Sequence, residues 1–149
     1  MARYPANPGK WVGQSYGHYG DAWDQAKRQC QAALYRWARS CEPHSYSELT
    51  QEVTAIPWPE GAHTHAGSQI GRLLGHVSLE ELDPVEDRPV ISALVYGYEE
   101  GMPTGGFWNL LRDELGSDVP ELESGRRKFW KDELNRACEY YGSKPLPPT

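Results

Sequence analysis

Two pairs of metal-type ligands stand close together in this chain of 149 residues. Cys41-Glu42-Pro43-His44 gives a Cys-x-x-His pair, and His63-Thr64-His65 gives a His-x-His pair. Thiolate and imidazole ligands in two such pairs can hold zinc in tetrahedral geometry. Both pairs flank one short predicted helix, so the fold could bring them together. Against this, Cys41 also continues the apolar face of a predicted helix, and neither pair has the Cys-x-x-Cys form. The sequence names Cys41, His44, His63 and His65 as candidate ligands but assigns no metal and no cofactor.

A second constellation is the row Ser68, Gln69, Arg72 and His76. At helical spacing these side chains lie opposite Ile70, Leu73, Leu74 and Val77, and so outward. Such types suit base edges and phosphates in a major groove. A plain solvated helix face has the same composition. The third is Gly101-Met102-Pro103-Thr104-Gly105-Gly106-Phe107. It lacks the Lys-Ser/Thr ending of a phosphate-binding loop and reads as a hairpin tip needing glycine geometry. There is no His-Glu-x-x-His. The carboxylates from Glu80 to Asp87 lie in a proline-interrupted loop expected to face solvent. The expectation is a non-enzymatic protein.

The elements that must position these residues follow from periodicity and breakers. Residues 1–20 carry Pro5, Pro8 and four glycines between aromatics and read as an N-terminal extended arm holding Trp11, Tyr16 and Tyr19. From Asp21, residues Trp23, Ala26, Cys30, Ala33, Leu34, Trp37 and Cys41 recur at helical spacing and predict a helix with one apolar face. After Pro43, Ser45-Tyr46-Ser47-Glu48 has the form of a capping box. Tyr46, Leu49 and Val53 then give a second helix. A third helix starts between His65 and Ser68, and Leu79 to Arg88 reads as an acidic connection. Val90 to Tyr96 is the best strand candidate, with Met102 to Phe107 as its return. Trp108, Leu111 and Leu115 mark a short helix stopped by Gly116. The last helix ends near Tyr141, with Trp130, Leu134, Ala137, Cys138 and Tyr141 on one face.

This order predicts an α+β, mainly helical fold: a winged-helix-like core of three helices plus a β-hairpin, with additional C-terminal helices. Residues 21–142 form a single winged-helix-like domain, and 143–149 a Pro-rich tail. The stretch from Ser45 to Phe107 also resembles the DNA-binding winged-helix module of alkylguanine-DNA alkyltransferases and alkyltransferase-like proteins. The resemblance rests on Tyr46-Ser47-Glu48-Leu49, a proline-bearing loop, Gly71-Arg72-Leu73-Leu74-Gly75, and a strand ending near a Gly-Gly aromatic. It implies Tyr46 near a substrate and Arg72 at the position that enters the minor groove. The Pro-Cys-His-Arg nucleophile motif of that family has no counterpart, so alkyl transfer is not implied.

Charge is segregated beneath a net −6. Residues 79–125 hold twelve acidic side chains and two basic ones, whereas residues 126–149 hold six basic and three acidic. Lys27 and Arg28 on the first helix, with Arg127 and Lys131 on the last, would form one basic surface if those helices pack side by side. Three cysteines are an odd count, and Cys30 and Cys138 sit where helices need small apolar residues, so a reduced, cytoplasmic setting is expected. A mean hydropathy of −0.73 leaves no span near the ~20 apolar residues that a membrane helix needs.

The leading expectation is therefore a regulatory helix-turn-helix domain binding double-stranded DNA. Ser68, Gln69, Arg72 and His76 would enter a groove, Lys27, Arg28, Arg127 and Lys131 would contact phosphates, and Tyr46 would lie close by. The alternative is a protein–protein interaction domain, such as a phage- or defence-associated accessory factor, that docks through exposed aromatics and segregated charge.

Overall fold

The structure is a computed structural model and describes residues 21–58, 69–82, 88–97, 101–103 and 105–145. The arm over 1–20, Ser68, His63, His65 and most of the acidic run from Glu80 to Asp87 lie outside the described residues. The elements, in order, are α1 (Asp21–Ser40), β1 (His44–Ser45), α2 (Tyr46–Glu52), α3 (Gln69–Glu81), a 3-10 turn (Ile91–Leu94), β2 (Val95–Tyr96), α4 (Gly105–Asn109) and α5 (Glu123–Gly142). A π-helical turn over Leu110–Glu114 extends α4. The protein is mainly helical, as expected, and none of the described helices is long and apolar enough to cross a membrane.

The hairpin is absent from the described residues. β1 and β2 pair in parallel, with His44 opposite Val95 and Ser45 opposite Tyr96. The expected return strand is reduced to one antiparallel bridge between Gly97 and Met102. Most of the expected strand over 90–96 is the 3-10 turn. The physical reason lies in α5, whose side chains take the backbone groups that a sheet would have paired. The Glu133 carboxylate accepts from the Val90 amide at 2.8 Å, and Trp130 Nε1 donates to the Ala93 carbonyl at 2.7 Å. The Tyr141 hydroxyl donates to the Pro89 carbonyl at 2.8 Å. Buried backbone groups must find partners, and here the partners are side chains.

Two cores result. Trp23, Ala26, Cys30, Leu34 and Trp37 of α1 pack with Leu49, Leu73, Val77, Ala137 and Tyr141. Phe107, Trp108, Leu111 and Leu115 pack with Leu79, Val90, Ala93 and Trp130. α5 reaches both, with Trp130 in the second core and Ala137 and Tyr141 in the first. Where α5 crosses α1, a Cβ on Gly142 would lie 3.0 Å from the Ala38 carbonyl oxygen, so glycine lets the two helices come this close without a backbone shift.

Cysteine chemistry departs from expectation. Cys41 and Cys138 are joined in a disulfide across 97 residues of sequence, with Cα atoms 5.3 Å apart. Cys41 does not continue the apolar face of α1. It lies just past the helix, exposed, with φ 52°. Its amide bonds the Ala38 carbonyl and the Glu42 amide bonds the Trp37 carbonyl, both at 3.1 Å. That pair of bonds is a Schellman cap, whose left-handed position is usually glycine. Cysteine there costs on the order of 1 kcal/mol.

The cap and the disulfide are separable. Cys41→Gly should stabilise the reduced protein by about 1 kcal/mol through the relieved backbone. Under oxidising conditions it should destabilise by about 4 kcal/mol, because closing a loop near 100 residues is worth about 5 kcal/mol in the chain-entropy account. Urea denaturation with and without reductant checks both signs.

Candidate functional site

Helix α2 begins as the sequence indicates. Ser45 is its N-cap, with the Glu48 amide donating to Ser45 Oγ at 3.2 Å and the Ser45 amide donating to Glu48 Oε1 at 3.3 Å. His44 lies 2.6 Å from Glu48 Oε2, and this bond holds the Glu48 carboxyl below its ordinary range. The His44 ring also stacks on Trp37 at 4.2 Å. Among the metal candidates, Cys41 has given its sulfur to Cys138. No cluster of three or more metal-type ligands exists among the described residues. Tyr46, placed near a substrate by the resemblance, is a buried member of the first core.

Two side chains of the groove-reading row can be placed. Arg72 is exposed on α3, but His76 is fully buried. Its Nδ1 accepts from Trp23 Nε1 at 3.3 Å, with the two rings edge to face at 5.8 Å. One histidine thus faces the core where helical spacing put it outward, because Trp23 supplies a polar partner inside.

The predicted phosphate contacts are also dispersed. α1 and α5 do pack side by side, but Cys41 meets Cys138 and Ala38 meets Gly142, so the two helices run in opposite directions. Arg28 and Lys128 are then separated by roughly 35 Å of helix along the path through that crossing, at ~1.5 Å per residue. Lys27 bonds Glu80 at 2.6 Å and lies 3.6 Å from Asp24. Arg127 bonds Glu123 at 3.0 Å. Arg28 and Lys131 are exposed.

A polar groove of about 220 Å³ runs between α1 and α3, lined by Asp24, Lys27, Arg28, Gln31, Val77, Glu80 and Glu81. Its charges largely answer one another. Beside the Lys27 contacts, Glu81 accepts from Gln31 and from the Tyr35 hydroxyl, and Arg88 donates to its carbonyl. Burial and then the adjacent Glu81 push the Tyr35 phenol well above its ordinary range, so it stays a donor.

Ser117 to Gly125 reads in sequence as an acidic loop, and the feature of it that sequence reasoning passed over is Leu122. Leu122 is 74% exposed, the one exposed large apolar side chain among the described residues. Asp118, Glu121 and Glu123 surround it in sequence, all exposed. The loop is held from behind. Arg126 Nε donates to the Pro120 carbonyl at 2.7 Å, and the Arg126 amide bonds the Leu122 carbonyl at 3.0 Å. The Arg126 guanidinium also lies 5.2 Å over the Trp108 ring. A Cβ on Gly125 would meet the Pro120 side chain at 3.0 Å, so glycine eases the close fold-back of the chain. The basic start of α5, read as a phosphate surface, serves in part to shape this acidic loop. The signal available in sequence was Val-Pro-Glu-Leu-Glu, an apolar residue between carboxylates just ahead of arginines.

Burial lowers the His76 pKa, and nearby Lys27 adds to this. Below the ordinary value near 6.5 the unfolded chain therefore takes up a proton that the folded chain resists. Stability should be full above that value and fall as pH drops towards the folded pKa. In an NMR titration the His76 ring should titrate below the ordinary histidine value, and His76→Gln should flatten the decline in stability as pH falls below 6.5.

No protein-family model, no curated protein and no solved structure matches the chain.

Proposed function

We propose that this chain is a non-enzymatic protein–protein interaction domain that docks on a partner through the acidic loop at the head of α5. The observation that carries the reading is Leu122, exposed at 74% on a loop fixed from behind by Arg126. Leaving a leucine in water forgoes about 1.5–3 kcal/mol that burial would return. A loop already held in place loses little further freedom on binding. The carboxylates of Asp118, Glu121 and Glu123 would rim that anchor. The complementary partner surface is an apolar pocket edged by lysine or arginine, and the carboxylates would speed encounter and set orientation.

Double-stranded DNA is the second reading. It keeps Arg28, Arg72, Lys128 and Lys131 as exposed cations. The burial of His76 and the separation of the two helix ends weigh against it, as does the acidic net charge. Setting is part of the same proposal. The joined Cys41 and Cys138 remove the support that the cysteine count lent to a cytoplasmic location, since such bonds persist in oxidising compartments.

The test places a photo-crosslinking amino acid at Glu121 and compares capture of host proteins with and without Leu122→Asp. One partner should crosslink, and the substitution should abolish the crosslink while leaving the melting temperature unchanged. Equal capture by both proteins would defeat the docking reading. Duplex DNA binding that falls steeply with salt and is lost in Arg72→Ala would establish the second reading in its place.

A further inference from the structure

We propose that the Cys41–Cys138 disulfide is a thiol-exchange site, with Cys41 the sulfur that a small anionic thiol of the glutathione class attacks and modifies. Position is the first argument. Cys41 occupies the left-handed position of a Schellman cap, φ 52°, where glycine would relieve the backbone. A cysteine at a glycine position is explained by its sulfur rather than by its backbone.

Access is the second. Cys41 is exposed, whereas Cys138 is only partly so, packed against the first core. The remaining cysteine, Cys30, is fully buried, and burial pushes its thiol far above the ordinary range. It supplies no thiolate to shuffle the pair, so exchange is confined to external thiols. Charge is the third argument. Arg39, two residues before Cys41, is exposed and donates to the Lys144 carbonyl at 2.9 Å. Arg39 thus supplies an exposed cation two residues from Cys41, which suits an anionic thiol, whereas the Lys144 ammonium lies over the Tyr140 ring, 4.6 Å from its centroid.

The step balances without a further oxidant. The incoming thiolate attacks Cys41 Sγ and forms a mixed disulfide. The Cys41–Cys138 bond breaks, and its electron pair leaves on Cys138 Sγ, which takes a proton from water. A second thiolate attacks the outer sulfur of the adduct, freeing Cys41 and releasing the oxidised small disulfide. Two external thiols are oxidised and one protein disulfide is reduced. α5 stays docked throughout, because the bonds from Trp130 and Glu133 to Ala93 and Val90 lie away from this corner.

The experiment treats the native full chain with reduced glutathione, quenches by alkylation and maps the cysteines by mass. The air-oxidised protein should hold one disulfide. Native reduction should expose Cys41 and Cys138 to alkylation, and Cys30 should react only after denaturation. With oxidised glutathione, Cys138→Ser should gain one adduct on Cys41, roughly tenfold faster than Cys41→Ser gains one on Cys138. A protein isolated with three free thiols would overturn the proposal. So would a pair that resists excess glutathione while folded, or an adduct that maps first to Cys138. If either variant does not fold, the wild-type mixed disulfide trapped early in reduction decides between the two sulfurs.

Discussion

A buried peptide segment without a sheet to pair with sets the terms for this fold. Residues 89–94 run through the interior, with Val90, Ile91, Ala93 and Leu94 sealed from solvent. Their backbone groups need partners, and leaving one orphaned in the interior costs about 1–3 kcal/mol. α5 supplies them from one face, with Trp130 on Ala93, Glu133 on Val90 and Tyr141 on Pro89. Glu133 is fully buried, and Arg136 donates to its second oxygen at 2.8 Å. A buried carboxylate is tolerable only when hydrogen-bonded in this way.

Fixing α5 along this segment positions both features of interest. At one end of the helix, the loop carrying Leu122 folds back over Gly125 and is held by Arg126, whose guanidinium also lies over Trp108. At the other end, Cys138 and Gly142 meet α1 at Cys41 and Ala38. A docking surface and a redox-sensitive tie therefore sit on the two ends of one helix. Because the middle of that helix is secured by side-chain bonds and by both cores, opening the tie leaves the loop in place.

Local signals carried much of this in the sequence. The apolar face of α1 and the Ser45 capping box depend on neighbours within one or two turns, and both are present, the face without Cys41. What depended on distant partners was not legible. The β-rich run from Val90 reads as a strand because a buried segment is apolar whatever its backbone does. Its conversion to a 3-10 turn rests on Glu133, some forty residues later. His76 turned inward because Trp23 offers a hydrogen bond. Cys138 looked like a small core residue until the fold brought Cys41 beside it. The basic start of α5 looked like a phosphate surface because its partners, Pro120, Glu123 and the Trp108 ring, were not assigned to it.

The most direct test is amide hydrogen exchange at Val90 in the unmodified protein. If the Glu133 carboxylate replaces a sheet partner, the Val90 amide exchanges as slowly as the core amides of α1, through global unfolding. A Val90 amide that exchanges like a loop residue, while α1 and α5 stay protected, would contradict the account that α5 organises this fold.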